Sequence, residues 1–140
     1  MNGYVVVDAS VWVARLVAGD VFHDSCRRWL EDKRTRGELF LAPSLLLAEV
    51  AGAVARRTGE ADLARRAAAA LKQLEDLRLV EMEAELGQRA ADLAATLGLR
   101  GADAFYVAVA ARLSVPLATL DIDQQGRAAK VVEIWEVEVQ

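Results

Sequence analysis

The chain has 140 residues, of which 54% are hydrophobic and 27% charged, and its formal net charge is −4. This length predicts one domain over residues 1–140, and the apolar content excludes a disordered chain. The negative charge argues against a general nucleic-acid-binding protein unless bound cations neutralise part of it. With one cysteine and one histidine, an intrachain disulfide, a cysteine-based metal site and a two-histidine metal site are excluded.

The sequence contains no recognisable targeting or membrane-spanning segment. The valine run near the start is too short for a signal peptide and follows no basic segment. The alanine-rich middle is interrupted by Arg, Glu and Asp, so no membrane span is expected there. Because a single cysteine also fits a reducing compartment, we expect a cytoplasmic protein without membrane association.

The N-terminal half of the chain predicts two strands, each followed by two helices. Three consecutive valines in Tyr4–Val7 favour a strand buried on both faces. A second apolar run ends before Pro43, and Ser44 is a suitable N-cap for the helix that follows. In chain order the predictions are strand 4–7, helix 11–17, helix 22–33, strand 39–42, helix 45–57 and helix 60–76.

The C-terminal half continues the alternation of strands and helices. Gly98 ends one predicted helix and Pro116 stops the next. The final apolar run carries glutamates, which favour the edge of a sheet. The predictions are strand 77–82, helix 85–97, helix 102–113, strand 117–120, helix 123–130 and strand 131–137. Strands separated by helices imply parallel crossovers, so we expect a three-layer α/β/α sandwich with a central, mostly parallel sheet of about five strands.

Four acidic residues stand in apolar surroundings. Asp8 directly follows the first strand, and Asp121 follows the fourth. Glu49 has Leu, Gly and Ala one helical turn away, and Asp103 opens a helix that is nearly all apolar. Three of them also have a structural interpretation. Asp8 suits a helix N-cap, Asp103 stabilises a helix dipole, and Glu49 could face solvent beside Gly52.

The four acids should converge if the strands are parallel. Asp8 and Asp121 would then leave the same edge of the sheet, where open α/β sheets bind ligands. Glu49 and Asp103 lie early in helices that begin at that edge. Clustered carboxylates repel one another unless they are protonated or bridged by cations. Since carboxylate oxygens suit Mg²⁺ or Mn²⁺, the pattern predicts a site for one or two of these ions.

The segments around these acids resemble the PIN-domain ribonucleases, most closely the VapC-type toxins of toxin–antitoxin pairs. The similar segments are VVVDASV, HDSCRRWLE, LLLAEV, RGADAFYVAVA and LATLD, and their order and spacing agree over essentially the whole chain. The resemblance implies that Asp8, Glu49, Asp103 and Asp121 are catalytic and bind the metal. Ser10 and Thr119 would be supporting hydroxyls.

The resemblance also implies an activity and partners. The activity would be Mg²⁺- or Mn²⁺-dependent hydrolysis of RNA phosphodiester bonds, leaving 5′-phosphate and 3′-hydroxyl ends. Asp123 and Arg100 are weaker candidates for supporting roles, Arg100 as a contact to the RNA backbone. A VapB-type antitoxin would insert a helix into an apolar groove, and the toxin would form a homodimer. Candidates for the groove are Leu16, Val17, Phe22 and residues 45–47.

Two other functions remain compatible with the pattern. One is a catalytically inactive PIN-like protein-interaction module. The other is a phosphoryl-acceptor α/β protein, although dehalogenase-like phosphatases need a second acid where this chain has Ser10. Glycine-rich phosphate-binding loops are absent from the sequence. His23 and Cys26 lie on one helical turn, but without a third partner we interpret them as structural.

Overall fold

A parallel sheet of four strands lies at the centre of the structure. The structure is a computed structural model and describes residues 3–137. Its strands are β1 (Tyr4–Val7), β2 (Leu39–Pro43), β3 (Leu77–Val80) and β4 (Leu117–Ala118). The spatial order is β3-β2-β1-β4, and every pairing is parallel. With a strand on each side, β1 is an inner strand, which explains its run of valines.

Seven helices surround this sheet within the described residues. They are α1 (Ala9–Leu16), α2 (His23–Thr35), α3 (Leu46–Thr58), α4 (Ala61–Gln73), α5 (Ala84–Leu97), α6 (Gly101–Leu113) and α7 (Ile122–Ala128). Helix α6 packs against β1, β2 and β4 and also against α5, while α1 packs against α2 and α3. The architecture confirms the predicted α/β fold with a central parallel sheet.

The predicted strand 131–137 is reduced to a single parallel bridge between Leu117 and Ile134. The Leu117 N–H donates to the Glu133 carbonyl, and the Trp135 N–H donates to the Leu117 carbonyl, both at 2.9 Å. The predicted position at the edge of the sheet is therefore correct, but the segment pairs at one point only. Because β4 itself has only two residues, it offers too short an edge for a longer ladder.

Two local predictions were wrong for identifiable reasons. Ser44 does not cap α3; the helix begins one residue later, and the Ser44 N–H instead donates to the Val80 carbonyl at 2.9 Å. Strand β4 ends before Thr119 because side chains replace the ladder beyond that point. The Leu120 N–H donates to the Ser10 hydroxyl at 3.1 Å, and the Gln125 amide donates to the Thr119 carbonyl at 2.7 Å.

The buried core runs through β1 and α6. Val5, Val6 and Val7 are fully buried, as is almost every residue of α6 from Ala104 to Ala110. Along the described residues, single helices are too short or too polar to cross a membrane. Helices α5 and α6 meet the length and composition criteria only as a pair, with a bend of 110° between them. The burial of α6 in the core accounts for its apolar composition.

The connection between α1 and α2 is held to α3 through Asp20. One Asp20 oxygen accepts the Phe22 N–H at 2.8 Å, and the other pairs with the Arg57 guanidinium. Burial alone would raise the pKa of Asp20, but the Arg57 and Phe22 hydrogen bonds and the Arg57 charge outweigh it, so this pKa lies below its ordinary value. The carboxylate form of Asp20 is therefore favoured by folding.

Replacing Asp20 with Asn should lower the free energy of unfolding at pH 7 by about 1 kcal/mol, because Arg57 is half-exposed and solvent weakens the pair. A lowered pKa stabilises the folded state above the unfolded-state pKa of about 3.9. The difference from the wild-type protein should shrink as the pH falls through the lower, folded-state pKa. Urea unfolding between pH 7 and pH 3 measures it, with the exposed Asp62→Asn as control. A difference independent of pH would contradict the assignment.

The single cysteine is inaccessible in the native state. Cys26 is fully buried in α2, and burial, with a smaller effect of the nearby Asp20 charge, raises its thiol pKa to about 11. At pH 8 we expect a disulfide reagent to label native Cys26 roughly 100-fold more slowly than the unfolded chain, because the thiolate is the reactive form. Comparing labelling rates with and without denaturant tests this. Equally rapid labelling of both states would show that the thiol is exposed.

Candidate active site

Asp8 is a buried carboxylate at the carboxyl end of β1. It is also the N-cap of α1, and it is only 6% exposed. Its Oδ2 atom accepts the Ser10 N–H at 3.0 Å and the Thr119 hydroxyl at 3.1 Å. Burial raises the pKa of Asp8, and the charge of Asp103 adds to this, while hydrogen bonds from Ser10 and Thr119 oppose it. Asp8 therefore combines a capping role with an unusual cost of ionisation.

A hydroxyl network fixes the Asp8 carboxylate. Thr119 is fully buried, and its oxygen lies 3.3 Å from the Ser10 hydroxyl and 2.8 Å from Gln124 Oε1. One hydroxyl proton cannot serve both Asp8 and Gln124, and the Gln124 Nε2 atom has no partner in the described part of the chain. Turning the Gln124 amide over would let its NH₂ group donate to Thr119, which could then donate to Asp8.

Glu49 lies in the first turn of α3 and is partly buried. The hydroxyl of Tyr106, a fully buried residue of α6, donates to Glu49 Oε1 at 2.6 Å. Burial raises the pKa of Glu49 and outweighs the Tyr106 hydrogen bond, and the charges of Asp8 and Asp103 raise it further. The tyrosine therefore ties Glu49 to the helix that carries Asp103.

Asp103 and Asp121 are bridged by Arg100. The Arg100 Nε donates to Asp103 Oδ2 at 2.9 Å, and its terminal NH₂ donates to Asp121 Oδ2 at 3.0 Å. The other Asp121 oxygen caps α7 by accepting the backbone N–H groups of residues 123 and 124. Asp123 itself is exposed and pairs with Arg127 at 2.9 Å. Its carboxylate is thus occupied along α7 rather than with the four acids.

The ends of β1 and β4 and the first turns of α3 and α6 bring the four acids near one another. The charge of Asp103 raises the pKa of Asp8, and the charges of Asp8 and Asp103 raise the pKa of Glu49. The charges of Asp103, Asp121 and Asp8 in turn raise the pKa of Arg100. Across residues 3–137, however, the His, Cys, Asp and Glu side chains form no group of three that is placed to hold a metal ion. The arginine bridge explains part of this, because Arg100 engages two of the four carboxylates.

The unused oxygens nevertheless form a donor set suited to a divalent cation. Asp8, Glu49 and Asp103 each have one carboxylate oxygen in hydrogen bonds, and the other makes none to a described residue. Hard cations such as Mg²⁺ take carboxylate oxygens and water as ligands. The residues therefore fit such an ion by the chemistry of their donors, provided that side chains around Arg100 rearrange.

A cleft with a volume of about 770 Å³ opens beside these acids. It combines the acids Glu49 and Asp121 with Arg56 and Arg57 on α3. Its remaining lining is mostly small or apolar. These residues are Ala9, Ser10, Val13, Gly19, Asp20, Val21, Phe22, Ala48, Ala53 and Leu120. The cleft therefore presents both signs of charge and an apolar wall to a ligand.

Only part of the predicted apolar groove lies in this cleft. Phe22 lines it, whereas Leu16 lines a separate cavity of about 350 Å³ between α1, α2 and α4. Leu46 is fully buried in the core, so its prediction as a groove residue is wrong. Residues 45–47 are consecutive in sequence, but successive residues of α3 point about 100° apart around the helix axis, so they cannot all face one groove.

Sequence analysis missed two residues that position the acids. Tyr106 follows Asp103 by one helical turn, so both lie on one face of α6, and a polar group in that apolar helix was the available signal. Gln124 is buried in the first turn of α7, where nothing in the local sequence distinguishes it from the neighbouring exposed residues. Its contact with Thr119 depends on how α7 packs against β4.

Replacing Tyr106 with Phe should lower the free energy of unfolding by about 1–2 kcal/mol, because Glu49 loses its hydrogen-bond donor. Urea unfolding measures the change. Tyr4→Phe is a matched control, since the Tyr4 hydroxyl makes no hydrogen bond to another described residue. Equal stabilities of the two variants would show that the Tyr106–Glu49 contact contributes little.

Comparison with known proteins identifies the family. Residues 5–131 match the sequence model of the PIN domain. The structure is similar to VapC20 of Mycobacterium tuberculosis, described as a toxin that cleaves the sarcin–ricin loop, with 26% identity and a TM-score of 0.78 over 92% of this chain and 97% of that one. Significant matches among curated protein sequences were not found.

Two further structures share the fold at lower identity. VapBC2 of Rickettsia felis, bound to a DNA fragment from its promoter, has 15% identity and a TM-score of 0.73 over 96% of this chain and 99% of that one. FitAcB of Neisseria gonorrhoeae has 19% identity and a TM-score of 0.68 over 94% and 96% of the two chains. The fold similarity and the match over residues 5–131 lead to one conclusion: the chain belongs to the PIN domain family.

Proposed function

We propose that this protein is a metal-dependent endoribonuclease and the toxin of a type II toxin–antitoxin pair. The observation that carries the proposal is that Asp8, Glu49 and Asp103 lie near enough for their charges to act on one another's pKa, while Arg100 joins Asp103 to Asp121. Two of these acids, Glu49 and Asp121, line an open cleft. Membership in the PIN domain family supports it, as does the similarity to a VapC toxin described as cleaving the sarcin–ricin loop.

Asp8, Glu49 and Asp103 would hold Mg²⁺ or Mn²⁺ through the carboxylate oxygens that hydrogen bonds leave free. Asp121 would join them through Oδ2 once Arg100 releases that oxygen. When bound, the ion polarises a phosphodiester and makes an attacking water easier to deprotonate. Thr119 and the Ser10 backbone keep the Asp8 carboxylate in one orientation. Tyr106 does the same for Glu49. These contacts reduce the rearrangement needed at the moment of reaction.

The basic residues of the cleft suit an RNA backbone. Arg56 and Arg57 line the same cleft as Glu49 and Asp121, so a strand that places one phosphate at the acids can place others near the guanidinium groups. Arg57 is also tied to Asp20, which fixes its position. Trp12, in contrast, is 3% exposed and packs edge-on against Phe40, so it belongs to the core rather than to a base-stacking surface.

The same cleft supports the proposal of an antitoxin partner. Val21, which is 86% exposed, and Phe22 line the cleft together with Val13, Ala48, Ala53 and Leu120, and an amphipathic helix binds to an apolar wall of this kind. An amphipathic helix of a VapB-type antitoxin would cover this wall and block access to the acids. The family also leads us to propose a homodimer, which sedimentation can establish.

Replacing Asp8 with Asn should reduce Mg²⁺- or Mn²⁺-dependent RNA cleavage by roughly 100-fold or more, because a neutral amide binds a hard cation poorly. The fold should survive, since an amide accepts the same hydrogen bonds and avoids the cost of burying a charge. Cleavage is measured by sequencing the RNA ends produced by each purified protein, and circular dichroism checks the fold.

Asp62→Asn is the matched control, because Asp62 is an exposed residue of α4 paired only with Arg65 among the described residues. It should retain wild-type cleavage. Full activity in a folded Asp8→Asn variant would refute the assignment of Asp8. If the wild-type protein binds Mn²⁺ but cleaves no RNA, the alternative of a catalytically inactive interaction module gains support.

A further inference from the structure

Arg100 is the cation that holds the acidic cluster together in this structure. Its guanidinium reaches Asp103 at 2.9 Å and Asp121 at 3.0 Å, so one side chain joins the start of α6 to the end of β4. Within the described part of the chain, the ion pairs to the four clustered acids come from Arg100 alone. No other side chain there neutralises their charge by direct contact.

The arginine and a bound divalent cation would compete for Asp121 Oδ2, because the other Asp121 oxygen caps α7. Both stabilise carboxylates that would otherwise repel one another. While the guanidinium holds Asp103 and Asp121, the cluster lacks three side chains placed for an ion. An ion that recruits Asp121 must therefore displace Arg100 from Oδ2, whereas Asp103 still has its second oxygen to offer. At Asp121 the two cations are alternatives rather than partners.

The arginine side chain is free to leave, although its backbone is fixed. Arg100 is the N-cap of α6, and its carbonyl accepts the Ala104 N–H at 2.9 Å, which anchors the main chain. Its side chain is 76% exposed and extends over the surface of the site. Its carboxylate partners are only 14% and 32% exposed, but solvent reaches the guanidinium and weakens both pairs, so the guanidinium can exchange them for contacts with water. The side chain can swing away without unfolding the helix.

We propose that Arg100 is a built-in counter-ion that stabilises the metal-free protein and competes with the divalent cation for the acidic cluster, directly at Asp121. This inference rests on the proposed function, because it assumes that the acids bind a metal. Arg100 is then a positioning residue. It holds the acids in place when no metal is bound, and it sets the metal concentration needed to fill the site.

The test measures metal affinity and stability separately. Wild-type protein, Arg100→Gln and Arg100→Lys are stripped with a chelator and titrated with Mn²⁺ by calorimetry. Thermal unfolding is then recorded with the chelator and with Mn²⁺. Arg65→Gln is the control, since Arg65 is about as exposed as Arg100 and pairs with the exposed Asp62 in α4, outside the acidic cluster.

We expect Arg100→Gln to unfold at a lower temperature without metal. It should bind Mn²⁺ roughly 3- to 10-fold more tightly, since a guanidinium no longer holds Asp103 and Asp121. Arg100→Lys, which retains the charge, should fall between Arg100→Gln and the wild-type protein. Arg65→Gln should match the wild type in Mn²⁺ affinity. If Arg100→Gln bound Mn²⁺ and the wild-type protein did not, the result would also support the counter-ion role.

Unchanged or weaker Mn²⁺ binding by a folded Arg100→Gln variant would overturn the counter-ion role. If that variant also cleaved RNA poorly, Arg100 would instead be a contact to the RNA backbone, and the proposed function would stand. Absence of Mn²⁺ binding in both proteins would overturn the counter-ion role and the metal-dependent nuclease together. The two failures are therefore distinguishable.

Discussion

The constraint on which the site depends is the burial of the Asp8 carboxylate at the end of an inner strand. A sheet strand of valines leads directly to a group that is costly to ionise there, as its raised pKa indicates. Ser10 and Thr119 donate hydrogen bonds to Asp8, but the nearby charge of Asp103 acts against them. A bound cation would offset the remaining cost of ionising Asp8. Asp8 at the β1–α1 junction is therefore suited to binding a cation as well as to capping α1.

The rest of the fold supplies the partners of that carboxylate. Parallel pairing of β1 with β4 brings Thr119 and Asp121 alongside Asp8, although more than 100 positions separate them in the chain. Helix α6 packs on the same strands and contributes Asp103 and, one turn later, Tyr106. The packing of a few apolar elements thus gathers acids that are dispersed in sequence. The net charge of −4 is compatible with an RNA substrate if cations neutralise this cluster.

Much of the fold was predictable because its signals are local. The valines of β1, the turn glycines after α3 and α5, and the apolar run of α6 each predict an element from its own residues. Gly59 and Gly98, at the ends of α3 and α5, do adopt left-handed backbone angles of +73° and +70°. What the sequence could not predict depends on packing between elements. The loss of strand 131–137 follows from the shortness of β4, and the contact of Gln124 with Thr119 follows from how α7 docks.

The arginine at position 100 illustrates the same limit at the site. Its place one turn before Asp103 was visible in the sequence, but its second contact, to Asp121, exists only because α6 and β4 meet. The most direct test of the central claim is anomalous diffraction from crystals soaked in Mn²⁺. We expect an Mn²⁺ peak at about 2.0–2.2 Å from an Asp8 oxygen, with at least one further ligand from Glu49, Asp103 or Asp121. A fully soaked crystal with no Mn²⁺ at Asp8 would contradict the convergence of these acids into a cation site.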